Sequence, residues 1–321
     1  MRKLFFLLSM TLLSTQLFSQ IDKEFWFVGP EASSNHGDRP VYVRISTMED
    51  TAHITLRLPA NFKFTPIYKT INPNSTISIQ LDVIAGNNTW LDSIENRPAD
   101  MVLNKGILLT SDKLIAGYYE IANGNNPAIF PFKGKNGLGT EFYISGQNNY
   151  PNQTNDGSEA FDIVASEDNT TVTITPTLAI VGHAANVPFQ ITLNKGQTYS
   201  ARTLNTTATA SLMGSHVVSD KPIAITISDD SIITGGWDII GDQIIPINLL
   251  GWDYIVIKGF ADNVPPNNND ERVYILATKD NTDIYIDGNV TPVANLNTGQ
   301  QYNYGIPAAS NTALIKATKP V

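Results

Sequence analysis

The chain has 321 residues, a formal net charge of -9 and 0 Cys. Acidity with no basic run excludes the clustered Lys and Arg that phosphate neutralisation needs, so no nucleic acid is expected as a partner. Without Cys, disulfide redox chemistry and Cys-ligated zinc are excluded, and a chain of this length can be held by its cores alone.

Met1-Arg2-Lys3 puts positive charge ahead of an apolar run over residues 4–13, and residues 14–19 are more polar. This three-part layout predicts a secretory signal peptide over 1–19, cleaved near Ser19 and Gln20. The run is shorter than the roughly 20 apolar residues of a spanning helix. No later segment is apolar enough to span, so the mature chain is expected to be secreted or at the cell surface, with no membrane span.

Beyond that signal the same phrases occur three times. Glu24-Phe-Trp-Phe-Val28, Glu141-Phe-Tyr-Ile144 and Asp253-Tyr-Ile-Val-Ile257 each read as a strand led by an acid and an aromatic. A loop rich in Asn, Pro and Asp follows each, over 30–40, 147–159 and 262–271. Next come hairpins turning at Thr47-Met-Glu-Asp-Thr51, Ser166-Glu-Asp-Asn-Thr170 and Thr278-Lys-Asp-Asn-Thr282. Short Asx side chains bond the local backbone there and tolerate unusual φ.

The returning strands alternate with period two, Val172 and Ile174 against Thr171, Thr173 and Thr175, which means one face on a core. In the first copy Ile54 and Leu56 stand one residue later relative to Thr51. A one-residue slip would turn every side chain over, so a bulge or a longer turn is expected there. Lys195-Gly-Gln-Thr-Tyr199 recurs as Thr298-Gly-Gln-Gln-Tyr302, with Asn72-Pro-Asn-Ser-Thr-Ile77 in the equivalent region of the first copy. The last phrase is Ser111-Asp-Lys-Leu-Ile-Ala116, then Ser219-Asp-Lys-Pro-Ile-Ala224, then Ala317-Thr-Lys-Pro-Val321, where the third copy stops as its strand should begin.

Repeats of about 110 residues with short strands predict an all-β chain of tandem sandwich-like units. The expected division is 1–19 signal peptide, 22–139, 140–251, and an incomplete third repeat over 252–321. A β-propeller with blades of about 45 residues is the rival. Residues 92–104 are the one place where a helical turn could hide.

The order Gly139-Thr-Glu-Phe-Tyr143, Phe161-Asp-Ile-Val-Ala-Ser-Glu-Asp-Asn-Thr-Thr-Val-Thr-Ile174 and Lys195-Gly-Gln-Thr-Tyr199 resembles the IgGFc-binding domain family. So does the continuation into Gly214-Ser-His-Val-Val-Ser-Asp-Lys-Pro-Ile-Ala224 and Pro246-Ile-Asn-Leu-Leu-Gly-Trp-Asp-Tyr254. The resemblance is best over 139–321 and weaker over 22–138. It implies a domain of the N-terminal type of a mucus-associated protein, as found in surface proteins of Bacteroidetes-type bacteria, with a role in adhesion or surface architecture. Immunoglobulin Fc as a partner is implied by the family name alone, and the family carries no catalytic residues onto this sequence.

The histidines, His36, His53, His183 and His216, have no metal-site spacing and neighbour no nucleophile elbow. Asp229, Asp230, Asp238 and Asp242 sit around Trp237 in what reads as the loop after the strand over 223–227. A Trp beside carboxylates can stack a sugar or fill a partner's pocket, and paired carboxylates are what glycosidases use. Asp156 and Asp270 stand in the other polar loops, where Asn and Asp oxygens could hold Ca2+, although neither loop matches a known calcium motif.

The expectation is therefore an exported binding or adhesion module, not an enzyme. It would display loops to an extracellular protein or glycan through Trp237, Asp238, Asp242, Asp229, Asp230, Asp156 and Asp270, with no cofactor required. A carbohydrate-active enzyme using the acids near Trp237, or a passive spacer, are the alternatives.

Overall fold

In this computed structural model residues 20–33, 37–82, 94–124, 126–153, 157–233, 236–259, 271–307 and 309–321 are described. The signal peptide expected over 1–19, His36, Asp156 and Asp270 lie outside them, as do parts of the 30–40, 92–104, 147–159 and 262–271 segments.

Alternating apolar residues make the strands. The first set is β1 (Ile21–Phe27), β2 (Val41–Thr47), β3 (Ala52–Arg57), β4 (Ile67–Ile71), β5 (Thr76–Gln80), β6 (Ile107–Ile121) and β7 (Ala128–Pro131). They form one sheet in the order β4-β3-β6-β2-β5, with β1 and β7 also on β6. The second set is β8 (Gly139–Tyr143), β9 (Glu159–Ala165), β10 (Thr170–Thr175), β11 (Phe189–Leu193), β12 (Thr198–Arg202), β13 (His216–Ile233) and β14 (Trp237–Ile244). Its order, β11-β10-β13-β9-β12 with β8 and β14 on β13, repeats the first strand for strand.

The third set is β15 (Asp253–Ile257), β16 (Arg272–Leu276), β17 (Thr282–Ile286), β18 (Ala294–Leu296), β19 (Gln301–Gly305) and β20 (Thr312–Ala317). Here β15-β20-β17-β18 form one sheet and β16-β19 stand as a separate pair. The chain is all-β, with antiparallel sheets in sandwich-like arrangement. It is not a propeller.

One long strand organises each of the first two sets. The first half of β13 pairs with β10 through Val217 and Val218, and its second half pairs with β9 through Ile223 and Ala224. Strand β6 does the same with β3 and then β2. A single strand thus runs from one layer into the other and closes the core between them. The Ser-Asp-Lys phrase is the corner. Asp112 Oδ1 accepts the His53 N–H at 2.7 Å, Asp220 Oδ1 accepts the Thr171 N–H at 2.8 Å, and Thr318 Oγ1 accepts the Asp283 N–H at 2.9 Å. The lysine beside each reaches the hairpin turn: Lys113 to the Asp50 carboxylate at 3.3 Å, Lys221 to the Asp168 carbonyl at 2.5 Å, and Lys319 to the Asp280 carbonyl.

The turn chemistry is as the sequence suggests, since Asn169 and Asn281 have φ of 53° and 54°. The bulge or longer turn expected in the first copy is absent. Four residues separate β2 from β3 and four separate β9 from β10, so Ala52, Ile54 and Leu56 match Thr170, Val172 and Ile174. Thr51 stands at the place of Asn169, not of Thr170. The left-handed residue before β12 and β19 is Gly196 and Gly299, and before β5 it is Asn74, which fills the first copy's missing phrase.

Phe25 and Phe142 are fully buried, and half-buried Tyr254 packs on the core of the third set. Between the first two sets lies a further small core of Trp26, Val28 and Leu108 against Val164 and Ala224. The Lys195 ammonium lies 5.6 Å from the Trp26 ring centre. The backbones meet where Gly106 N–H donates to Gly196 O at 3.1 Å, and a Cβ on Gly106 would come within 2.7 Å of that oxygen. The same contact recurs one step on, where a Cβ on Gly214 would stand 2.4 Å from Gly299 O.

The two outer faces of the row differ. On β2, Arg44 bonds Glu120 at 2.5 Å and Ser78 at 2.6 Å and lies 4.4 Å over Tyr42. On β15, Ile255 and Ile257, which hold the places of Trp26 and Val28, are 74% and 75% exposed. Truncation of a fully buried aromatic costs about 3–5 kcal/mol. Trp26→Ala is therefore expected to lower the unfolding free energy of the full chain by that amount in a urea titration.

Candidate functional site

The strand β13 does not end at Ile227. It continues to Ile233, because β14 folds back on it with Ile225 opposite Ile244 and Ile233 opposite Trp237. Asp229 and Asp230 therefore lie within a strand, not in a loop, and are 5% and 3% exposed. Their oxygens are engaged: Asp229 accepts from Gln147 Nε2 at 2.7 Å and Asn152 Nδ2 at 2.5 Å, and Asp230 accepts the Ser33 N–H at 2.7 Å. Burial pushes both carboxyls up, Asp230 to about 7. They tie neighbouring segments to the strand and present no oxygen to a ligand outside.

Asp230 is one edge of a buried acid cluster at the junction of the first two sets. Glu95, 1% exposed, accepts the Ala32 N–H at 3.4 Å. Arg97 Nε stands 3.3 Å from its Oε2 but off the line a hydrogen bond needs, so that pair is coulombic. Glu31 sits between Arg97 at 3.9 Å and Arg202 at 2.5 Å. Asp162 accepts from Asn96 Nδ2 at 2.8 Å, and Asn96 accepts from Thr198 Oγ1 at 2.7 Å. Desolvation raises Glu95 to about 8 and Asp162 to about 6, each held back by the arginine beside it. Sequence reasoning missed this cluster. Apart from Asp230, its signal was Asp162, a charge inside the apolar phrase Phe161-Asp-Ile-Val-Ala165.

The other predicted residues that are described, Trp237, Asp238 and Asp242, come together on the β13–β14 hairpin. Trp237, 50% exposed, closes the hairpin opposite Ile233. Asp238, Ile240 and Asp242 alternate along one face of β14. Asp238 accepts its neighbour Ile239's N–H at 2.8 Å and is pushed up by partial burial. Asp242 pairs with Lys133 at 2.8 Å. Ile239, on the opposite face, is buried in the core of the first set, so the hairpin is anchored across the junction.

His53 is exposed beside Thr70 Oγ1 at 3.0 Å. His183 stacks on Phe189 and bonds Asp100 at 3.0 Å, and His216 stacks on Tyr143 and bonds Glu141 at 2.9 Å. Among the described residues no cluster of His, Asp and Glu is arranged to hold a metal ion. No described helix is long and apolar enough to cross a membrane.

The family model for the IgGFc binding protein matches residues 130–321. The chain belongs to that family. No curated protein and no solved structure matches it. The match begins at the end of β7, upstream of the residue 139 expected, and takes in the whole β13–β14 hairpin. It leaves out Glu31, Glu95 and Arg97, so the acid cluster joins the family segment to the strands before it. The family is one of binding proteins, not of enzymes.

The cluster gives stability a pH dependence of known sign. A carboxyl whose pKa rises on folding supports the fold below its unfolded value and loses that support as pH climbs through the folded one. For Glu95 this window runs from 4.5 to about 8. Glu95→Gln is expected to melt above the wild type near pH 9 and to close that gap near pH 4. The difference should be on the order of 1–3 kcal/mol at a cost of about 1.4 kcal/mol per pKa unit discounted for relaxation, read from thermal melts across that range.

Proposed function

We propose that the chain is an extracellular binding module of the adhesion or scaffold kind, exported by the signal peptide over 1–19. We read it as three copies over 22–139, 140–251 and 252–321, in which rigid sheets hold the β13–β14 hairpin out toward a protein partner. The observation that carries this reading is an exposed Trp237 on a hairpin anchored in two cores, within a family of binding proteins. Anchoring matters because a preorganised surface loses little entropy on association. A large aromatic at the end of such a surface is the residue type that dominates interface energy.

The contact surface would be Trp237 and Ile233 at the end and Asp238, Ile240 and Asp242 along the face. Asp229 and Asp230 act beneath it as positioning residues, Asp229 holding the 145–153 segment and Asp230 the Ser33 main chain to the strand. The family name makes immunoglobulin Fc one protein to test, beside mucin and whole cells. Surface-immobilised candidates of these three kinds, probed with the full chain, should include a binder. Trp237→Ala should weaken that binding at least tenfold, or about 1.4 kcal/mol, with the melting temperature unchanged. Equal binding by the variant would remove the hairpin from the interface.

A further inference from the structure

Where the first two sets meet, Glu31, Arg97 and Arg202 also line a cavity of about 560 Å³, completed by Pro98, Ala99, Lys105 and Val181. Its volume lies in the range of small-molecule sites. Val181 and Arg202 belong to the second set and the others to the first, so neither set holds the site alone. Main-chain bonds fix the walls. Asp100 N–H donates to Ser200 O at 3.1 Å and Leu103 N–H to Thr198 O at 2.9 Å, which lays the 97–105 segment along β12. Val181 N–H donates to Arg202 O at 3.0 Å. Lys105 Nζ donates to the carbonyls of Glu95 and Arg97, both at 2.6 Å, and so holds the segment that carries Arg97.

Cations outnumber acids in this lining. Arg97, Lys105 and Arg202 stand against one carboxylate, that of Glu31. Glu95 does not redress the balance beside Arg97, because burial keeps its carboxyl protonated up to about 8. Asp162 and Asp230, buried close to Arg202, are raised to about 6 and about 7, so each carries only part of a charge at neutral pH. The site therefore keeps a small positive surplus, which suits one negative charge better than two.

We propose that this cavity binds an acidic sugar residue of a glycan, with its carboxylate on Arg97 and Arg202 and its hydroxyls on Glu31 and Lys105. The planar fork of a guanidinium matches a carboxylate through two parallel hydrogen bonds. Glu31 accepts and cannot donate, so it serves a ligand that brings hydroxyl donors beside its acid group. Pro98, Ala99 and Val181 supply an apolar wall for the C–H face of a sugar ring. A phosphate fits less well, since Glu31 repels its second charge. An acidic peptide side chain would fill only a fraction of the volume. The site uses no residue of β14 and is independent of the hairpin surface.

The test titrates the full chain calorimetrically with sodium glucuronate, N-acetylneuraminate, glucose and a tri-glutamate peptide. At least one of the two acidic sugars should bind saturably and one-to-one, and the tighter of them tells a uronate source from a sialate source. Glucose and the peptide should bind at least about tenfold more weakly, the worth of one charge-assisted pair. Arg97→Gln should weaken binding of the acidic sugar by a similar factor. Ala99→Trp fills the cavity and alters no charged group, so it should abolish binding while thermal melts show the chain folded. Failure of both acidic sugars to bind, equal binding by glucose or by the peptide, or binding that survives Ala99→Trp would overturn the proposal.

Discussion

The corner at which a long strand passes from one layer to the other governs the rest of the molecule. Its difficulty is that a strand changing sheets must leave some main-chain groups unpaired. The side chain of Asp112, Asp220 or Thr318 accepts the N–H that the neighbouring strand would otherwise leave open. The lysine that follows closes on the hairpin turn beside it. Two adjacent polar residues therefore fix both the bend and the hairpin it abuts. The apolar residues on either side then fall on the inner faces without any change of period.

From this corner the junction between sets follows. The bend brings Ala224 against the outer face of the preceding set, where Trp26 and Val28 wait, and Gly106 lets the two backbones touch. The junction is apolar near that Trp and acidic farther along, where Glu95, Asp162 and Asp230 are buried. Buried carboxylates are weak contributors to stability but demanding of geometry. Their partners, Ala32, Ser33 and Asn96, come from the first set, while Asp162 and Asp230 come from the second. That arrangement favours one register of the two sets over sliding alternatives.

Much of this could be read from the residues because it is local or periodic. The alternation of Val172 and Ile174 with Thr171 and Thr173 gave the sheet faces, and the Asn of each Asp-Asn pair gave its left-handed turn. Identity of residue type misled at one place: matching Thr51 to Thr170 implied a bulge or a longer turn, and the two turns are of equal length. Asp229 and Asp230 looked like loop residues because two adjacent acids are rarely seated inside a strand. What seats them, Gln147, Asn152 and Ser33, lies far off in sequence, where no pattern reports it. Trp237 was visible as an aromatic among acids. Its anchorage through Ile239 in another set's core was not.

The unlike outer faces of β2 and β15 give the row a heading. On one side Arg44 is neutralised by Glu120 and laid flat on Tyr42, a surface that rejects an apolar neighbour. On the other, Ile255 and Ile257 offer bare hydrocarbon in the places where Trp26 and Val28 make a junction. The two borders of the row are thus unlike, one closed over by its own ion pair and the other left as hydrocarbon in water.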